Sequence, residues 1–150
     1  MKKVMKRTLA AMVAGAILSS AGPVLAQGKV LKFVQNGNLT ILDPIWTTAY
    51  VTRNHGYFVY DTLFASDENN AIKPQMVDKY EVSADKTVWT FTLRDGLEWH
   101  DGKPVTSEDC IASIKRWGAR DALGQEMMKA VGTMKANDAK TFQIVLKEPF

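Results

Sequence analysis

Between Trp89 and Cys110 the sequence leaves the backbone little freedom. Trp89, Phe91 and Leu93 alternate with Thr90, Thr92 and Arg94, the period of a strand with one apolar face. The turn dipeptides Asp95-Gly96 and Asp101-Gly102 follow. Beyond Pro104, Thr106 stands three residues before Asp109, the spacing at which a hydroxyl and a carboxylate cap each other's backbone amides at the start of a helix. Val105 and Cys110 hold the two positions of the hydrophobic staple that accompanies such a cap. A strand, two turns and a capped helix in one stretch point to a mixed fold, with the helix laid against the apolar face of the strand.

The same reading extends along the chain. Residues 79–83 and 87–94 form two strands joined by a turn at Ala84-Asp85-Lys86. Residues 29–35 alternate, with Leu31 and Phe33 on one face, and predict a first strand that Asn36-Gly37-Asn38 breaks. Leu42-Asp43-Pro44 sets an extended turn, because the residue before proline is kept out of the helical region. Over 48–63, Val51, His55, Phe58, Val59 and Thr62 fall at helical spacing, and Asp67-Glu68-Asn69-Asn70 closes that unit as a polar loop. The capped helix carries Ile114 and Trp117 on one face and is expected to end at Gly118. A short helix over 125–131 and a last strand over 140–147, with Phe142, Ile144 and Leu146 alternating, complete the order. There is no internal repeat. The fold class is α/β, or α+β over this stretch, and the absence of a closing element at Phe150 suggests a piece of a longer chain.

The amino terminus speaks to location. Lys2, Lys3, Lys6 and Arg7 precede any acid, the run 9–18 carries no charge, and small residues lead up to Ala26. This is the pattern of a secretory signal peptide over 1–26, with a mature chain starting at Gln27. The apolar run is shorter than the roughly 20 residues a membrane-spanning helix needs. Lys and Arg number 19 and Asp and Glu 16, so losing the four leader cations leaves 15 against 16, a net charge of −1. The basic pI near 9.0 therefore belongs to the leader and gives no reason to expect nucleic acid as a partner. No Arg-Arg pair precedes the run and no Cys follows the cleavage site, so neither a twin-arginine route nor a lipid anchor is indicated. The expected location is the periplasm, as a protein without a lipoprotein anchor. At 150 residues, 46% apolar and 23% charged with one Cys, the chain amounts to one domain, 27–150, and excludes a disulfide scaffold, a disordered tail and a coiled coil.

Catalytic and metal chemistry finds little purchase. His55 and His100 have no second ligand at a local metal spacing; His55 reads as a packed boundary residue and His100 as part of a turn with Asp101. Cys110, inside the capped helix, behaves as a small buried hydrophobe rather than a nucleophile. Glu108 and Asp109 belong to the first helical turn, where carboxylates suit the dipole. No phosphate loop, dinucleotide fingerprint or nucleophile elbow is present. No enzyme, metal or cofactor is expected. Trp46, Tyr50, Tyr57 and Tyr60 bring aromatic surface beside the Asp43-Pro44 turn, either as core or as the lining of a ligand cleft.

Taken in order, these pieces resemble the beginning of a family 5 solute-binding protein, the peptide/nickel class that serves ABC importers. The residues that carry the resemblance are Leu42-Asp43-Pro44, Tyr60-Asp61-Thr62-Leu63, Pro74, Tyr80-Glu81-Val82-Ser83-Ala84-Asp85 and Trp89-Thr90-Phe91-Thr92-Leu93-Arg94-Asp95-Gly96. The most specific is His100-Asp101-Gly102-Lys103-Pro104-Val105-Thr106-Ser107-Glu108-Asp109. The sequence departs from the family pattern at Thr62 (usually Pro), Cys110 (usually aliphatic) and Gln75-Met76 (usually Leu-Ala). These bear on packing and on subfamily.

The resemblance implies a periplasmic-binding-protein fold of two α/β lobes with an extra N-terminal subdomain, of which this chain covers a part. It implies a protein, monomeric at full length, that captures a peptide or similar small solute and delivers it to permease subunits in the inner membrane. Contacts to the solute are expected at Gln35, Asn36 and Asn38, at Trp46 and Tyr50, and in the loop 119–124 through Arg120. Each has a plainer role open to it, as turn former, core aromatic or solvated cation. Two other classes stay open on the residues alone: a secreted hydrolase with its catalytic groups beyond residue 150, and a periplasmic sensor or chaperone module on the same fold.

Overall fold

The computed structural model describes residues 30–149, so the expected leader 1–26 lies outside the described residues. The chain divides into two units, Met1–Val34 and Gln35–Phe150. Within the first, residues 30–34 form neither helix nor strand. The predicted strand over 29–35 is therefore not seen in its described part. Alternation supplies a strand with a face, but a ladder also needs a partner, and none of the described strands pairs with these residues.

The second unit starts as an extended segment that leads into helix α1 (Tyr50–Val59). This helix is shorter at both ends than the spacing predicted. At its far end Tyr60 is extended, and Thr62 is drawn out of the helical path because its amide and hydroxyl both donate to Gln75 Oε1, at 2.9 and 2.7 Å. A hairpin of β1 (Phe64–Ser66) and β2 (Ile72–Pro74) follows. Its loop is the expected Asp67–Asn70 turn, with Asp67 Oδ1 accepting from the amides of Asn69 and Ala71 at 2.9 Å.

The remaining chain builds a four-stranded antiparallel sheet. Strands β3 (Val77–Val82) and β4 (Val88–Leu93) form the predicted hairpin. After the two Asp-Gly turns come α2 (Ser107–Arg120), α3 (Ala122–Ala130), β5 (Val131–Ala136) and β6 (Thr141–Leu146). The strand order is β3-β4-β6-β5, so the last strand enters the middle of the sheet. Gly96 and Gly102 both have positive φ, at 75° and 81°, in the turns that aim α2 back over the sheet.

The reciprocal cap of α2 is as the sequence predicts. Thr106 Oγ1 accepts from the Asp109 amide, and the Asp109 carboxylate accepts from the Thr106 amide at 2.8 Å. Ser107, fully buried, donates its hydroxyl to the Asp138 carbonyl and its amide to the Ala139 carbonyl, which pins the start of α2 to the β5–β6 turn. The helix runs two residues past Gly118, to Arg120. Gly118 serves instead as a contact point, because a Cβ there would meet Met128 of α3 at 2.4 Å.

Phe142 of β6 is completely buried and stacks on Phe91 of β4 at 5.2 Å, the two being register partners. Phe64 of β1 meets Phe91 edge-on at 6.0 Å, and Cys110 and Ile111 of α2 roof the same cluster with Val77, Leu93 and Leu97. Ile114 joins this core as predicted, whereas Trp117 turns toward α3, where its ring lies against Gly124. Helices thus cover one face of the sheet, the α+β arrangement expected of this stretch.

Candidate functional site

The extended segment before α1 is strapped to that helix at three places. Gly37 passes so close to Val51 that a Cβ there would lie 3.3 Å from Val51 Cγ1. Thr52, buried to 1% exposure, donates its hydroxyl to the Ile41 carbonyl at 2.7 Å. Pro44 packs on buried Gly56.

Helix α2 then grips the same segment from another side. Arg116 makes a two-pronged ion pair with Asp43, Nη1 to Oδ1 at 3.2 Å and Nη2 to Oδ2. The Arg116 hydrogen bond is the main reason the Asp43 carboxyl sits below its usual range, and Asp43 holds the guanidinium pKa up in return. Asp43 Oδ1 also accepts from the Ile45 amide at 3.0 Å, which fixes the Pro44 turn. One helical turn further along, Arg120 lies over the ring of Trp46, 3.9 Å from its centroid. The two arginines share a face of α2 by their spacing of four, so one helix positions both the Asp43 turn and the Trp46 ring.

Tyr50 opens α1, and Arg53 of the same helix covers its ring at 4.3 Å. Trp46 and Tyr50 nevertheless present 55% and 67% of their surface. Between them the Ala49 amide donates to Thr47 Oγ1 at 3.2 Å, Ala49 provides no side-chain cap, and the first turn of α1 holds no acid. The result is a short stretch with two exposed aromatic rings, Trp46 in the segment and Tyr50 at the start of α1, each covered by a guanidinium from a helix.

Of the six residues expected to touch a solute, the structure therefore brings Trp46 and Arg120 into direct contact and places Tyr50 four residues on. Gln35, Asn36 and Asn38 lie earlier in the segment. Asn36 and Asn38 are exposed around a bend, and Gln35 is half-buried with Oε1 lacking a hydrogen-bond partner among the described residues. The loop expected over 119–124 is helical except at Asp121, whose carboxylate caps α3 by accepting from the amides of Leu123 and Gly124. Arg116 and Arg53 were not singled out from the sequence. The spacing of Arg116 and Arg120 on one helix, and of Tyr50 and Arg53 on another, was the available signal.

The residues weighed for catalysis fall elsewhere. His100 is exposed in its turn and His55 is half-buried, with Nδ1 lacking a partner among the described residues. Burial, helped by the Asp109 charge, pushes the Cys110 thiol up to about 11, which leaves it protonated and inert. Asp109 is spent on the helix cap. Among the described residues no cluster of His, Cys, Asp and Glu could hold a metal ion, and no helix is long and apolar enough to cross a membrane. A depression lined by Trp89, Phe91, Met127, Ile144 and Leu146 is almost wholly apolar, without the convergent polar groups that orient a solute.

The antiparallel sheet, its covering helices and the strapped Asp-Pro segment together form one α+β module. The family described as bacterial extracellular solute-binding proteins, family 5 (middle), matches residues 71–150, and the chain belongs to it. The probable peptide ABC transporter periplasmic-binding protein y4tO of Sinorhizobium fredii (strain NBRC 101917 / NGR234) is 45% identical over 144 residues, covering 93% of this chain and 27% of that protein. The glutathione-binding protein GsiB of Salmonella typhi is 29% identical over 133 residues, covering 87% of this chain and 26% of that protein. Among solved structures, MoaA of A. tumefaciens R10 in complex with mannopinic acid superposes with a TM-score of 0.66 at 30% identity, covering 74% of this chain and 24% of that one. The chain thus spans about a quarter of the length of the relatives it matches.

Proposed function

We propose that this chain is the N-terminal portion, 27–150 after removal of a signal peptide, of a periplasmic solute-binding protein. The whole protein captures a peptide or a similar small solute and hands it to the permease subunits of an ABC importer. The observation that carries this reading is the 45% identity across 93% of the chain to a protein described as a probable peptide ABC transporter periplasmic-binding protein. In support, five of the candidate contact residues lie along the strapped segment and the start of α1, with Gln35, Asn36 and Asn38 first, then Trp46 and Tyr50, and Arg120 lies against Trp46. No cofactor enters this reading, and the full-length protein acts as a monomer.

Calorimetry on the full-length protein with a set of di- and tripeptides tests it. Saturable binding without consumption of the peptide is the expected result, and sustained turnover would replace the binding reading with a hydrolase. Mass spectrometry of periplasmic material addresses the leader, with a chain starting at Gln27 expected and an intact Met1 start counting against export.

A further inference from the structure

Where α3 meets the sheet, Trp89, Phe91, Met127, Ile144 and Leu146 wall the almost wholly apolar depression, which has a volume of about 180 Å³. Its shape is set in advance. Trp89 stacks on Phe91 at 6.4 Å and its indole N–H donates to the Lys86 carbonyl at 3.1 Å, which holds the ring in the wall. Trp89, Met127 and Ile144 stay half-buried. An apolar cavity of about 150 Å³ stays dry and accepts a benzene-sized group, so this depression has room for one large apolar side chain. A peptide solute finds no polar group here to orient its amides. A second copy is no better suited, because five side chains fall far short of the roughly 800 Å² that each partner buries in a stable interface.

The course of the chain after β6 points to the occupant. Leu146, the last residue of β6, is itself part of the wall. The Lys147 amide then donates to the Ala130 carbonyl at 2.8 Å, and its ammonium to the Lys129 carbonyl at 3.0 Å. The outgoing backbone is thereby tied to the end of α3, one helical turn from Met127. The chain covers 27% of the y4tO protein, so a full-length protein of that size has most of its residues outside this module. We propose that the depression receives a large apolar side chain from the segment of the full-length protein that directly follows Phe150, doubling back over the sheet after a connection of about two to six residues. The proposal rests on the reading of this chain as the N-terminal portion of a longer protein. A tether this short holds the side chain at roughly millimolar effective concentration, an advantage that no free partner shares.

The test uses the full-length protein. With Met127→p-benzoylphenylalanine, irradiation and peptide mapping should show an intrachain cross-link to a residue within about 30 positions after Phe150, the span of a short connection and one helix. In the unsubstituted protein, which does not depend on the probe being accommodated, hydrogen peroxide should oxidise Met127 at least tenfold more slowly than in urea. A cross-link to a second copy, to added alanyl-alanyl-alanine or only to other parts of the chain overturns the proposal, as does the lack of any cross-link or protection of less than tenfold. Each of these leaves the solute-binding reading standing. A natural reading frame that closes at Phe150 would overturn the proposal together with the reading on which it rests.

Discussion

Gly124 has no room for even one more carbon. A Cβ there would sit 2.9 Å from both the Gly118 Cα and the Trp117 carbonyl oxygen, which are backbone atoms that cannot step aside. At Gly118 the obstacle is the Met128 side chain, at 2.4 Å, which can change rotamer. Gly124→Ala in the full-length protein should therefore cost about 1–3 kcal/mol in chemical denaturation. Gly118→Ala should cost less, since alanine recovers up to about 1 kcal/mol of helix propensity. Cys110 gives a second expectation at this scale. With its thiol held near 11 by burial, it should resist alkylation at pH 8 in the native protein and react readily in urea; fast native labelling would show that the α2 roof opens.

The cap of α2 was legible because all its parts are local: Thr106, Asp109, Val105 and Cys110 lie within six residues. Its contribution should depend on pH. Hydrogen bonds from the Thr106 hydroxyl, then from its amide, hold the Asp109 carboxyl below its ordinary value. The stabilisation is thus complete above the unfolded carboxylate pKa of about 3.9 and disappears as pH falls through the lower folded value. Asp109→Ala should lower stability by roughly 1 kcal/mol at pH 7, and the gap to wild type should shrink in melts taken toward pH 3. Other elements gave no such signal. Strands β1 and β2 are three residues each, too short to show a period. In β5 the ladder slips between Val131 and Thr133, so its side chains do not alternate cleanly and Gly132 and Lys135 obscure the pattern. The β4 period survived because β6 pairs with it without a break over Val88–Thr92, and the slip on the other side, between Val77 and Lys79, falls in β3.

At the scale of the whole molecule, what the sequence lacked was long-range pairing. Trp46, Tyr50 and Arg120 could be chosen for their chemistry, but the bond that sets the segment in place, Arg116 to Asp43, joins residues 73 apart and no local pattern announces it. If that clasp holds the proposed binding segment in position, Arg116→Gln in the full-length protein should weaken solute binding several-fold through a faster off-rate while leaving the α2 cap and the sheet intact. Stopped-flow dissociation beside circular dichroism distinguishes this from general unfolding. Residues 27–150 alone should bind the solute weakly, because sites of this kind enclose most of a ligand's surface and this chain spans about a quarter of its relatives. Affinity equal to that of the full-length protein would make it a complete binding domain.

The strand order β3-β4-β6-β5 also sets a clock. Thr90 and Gln143, which face each other in the finished sheet, are separated by 53 residues. At ribosomal speeds of about 5–20 residues per second, β4 waits roughly 3–10 s for its inner neighbour. Meanwhile β3 and β4 are a lone hairpin, which is marginal in water, and closing so long a loop is slow. If the chain is exported through a membrane, as proposed above, that delay would keep it pliable while the thread passes.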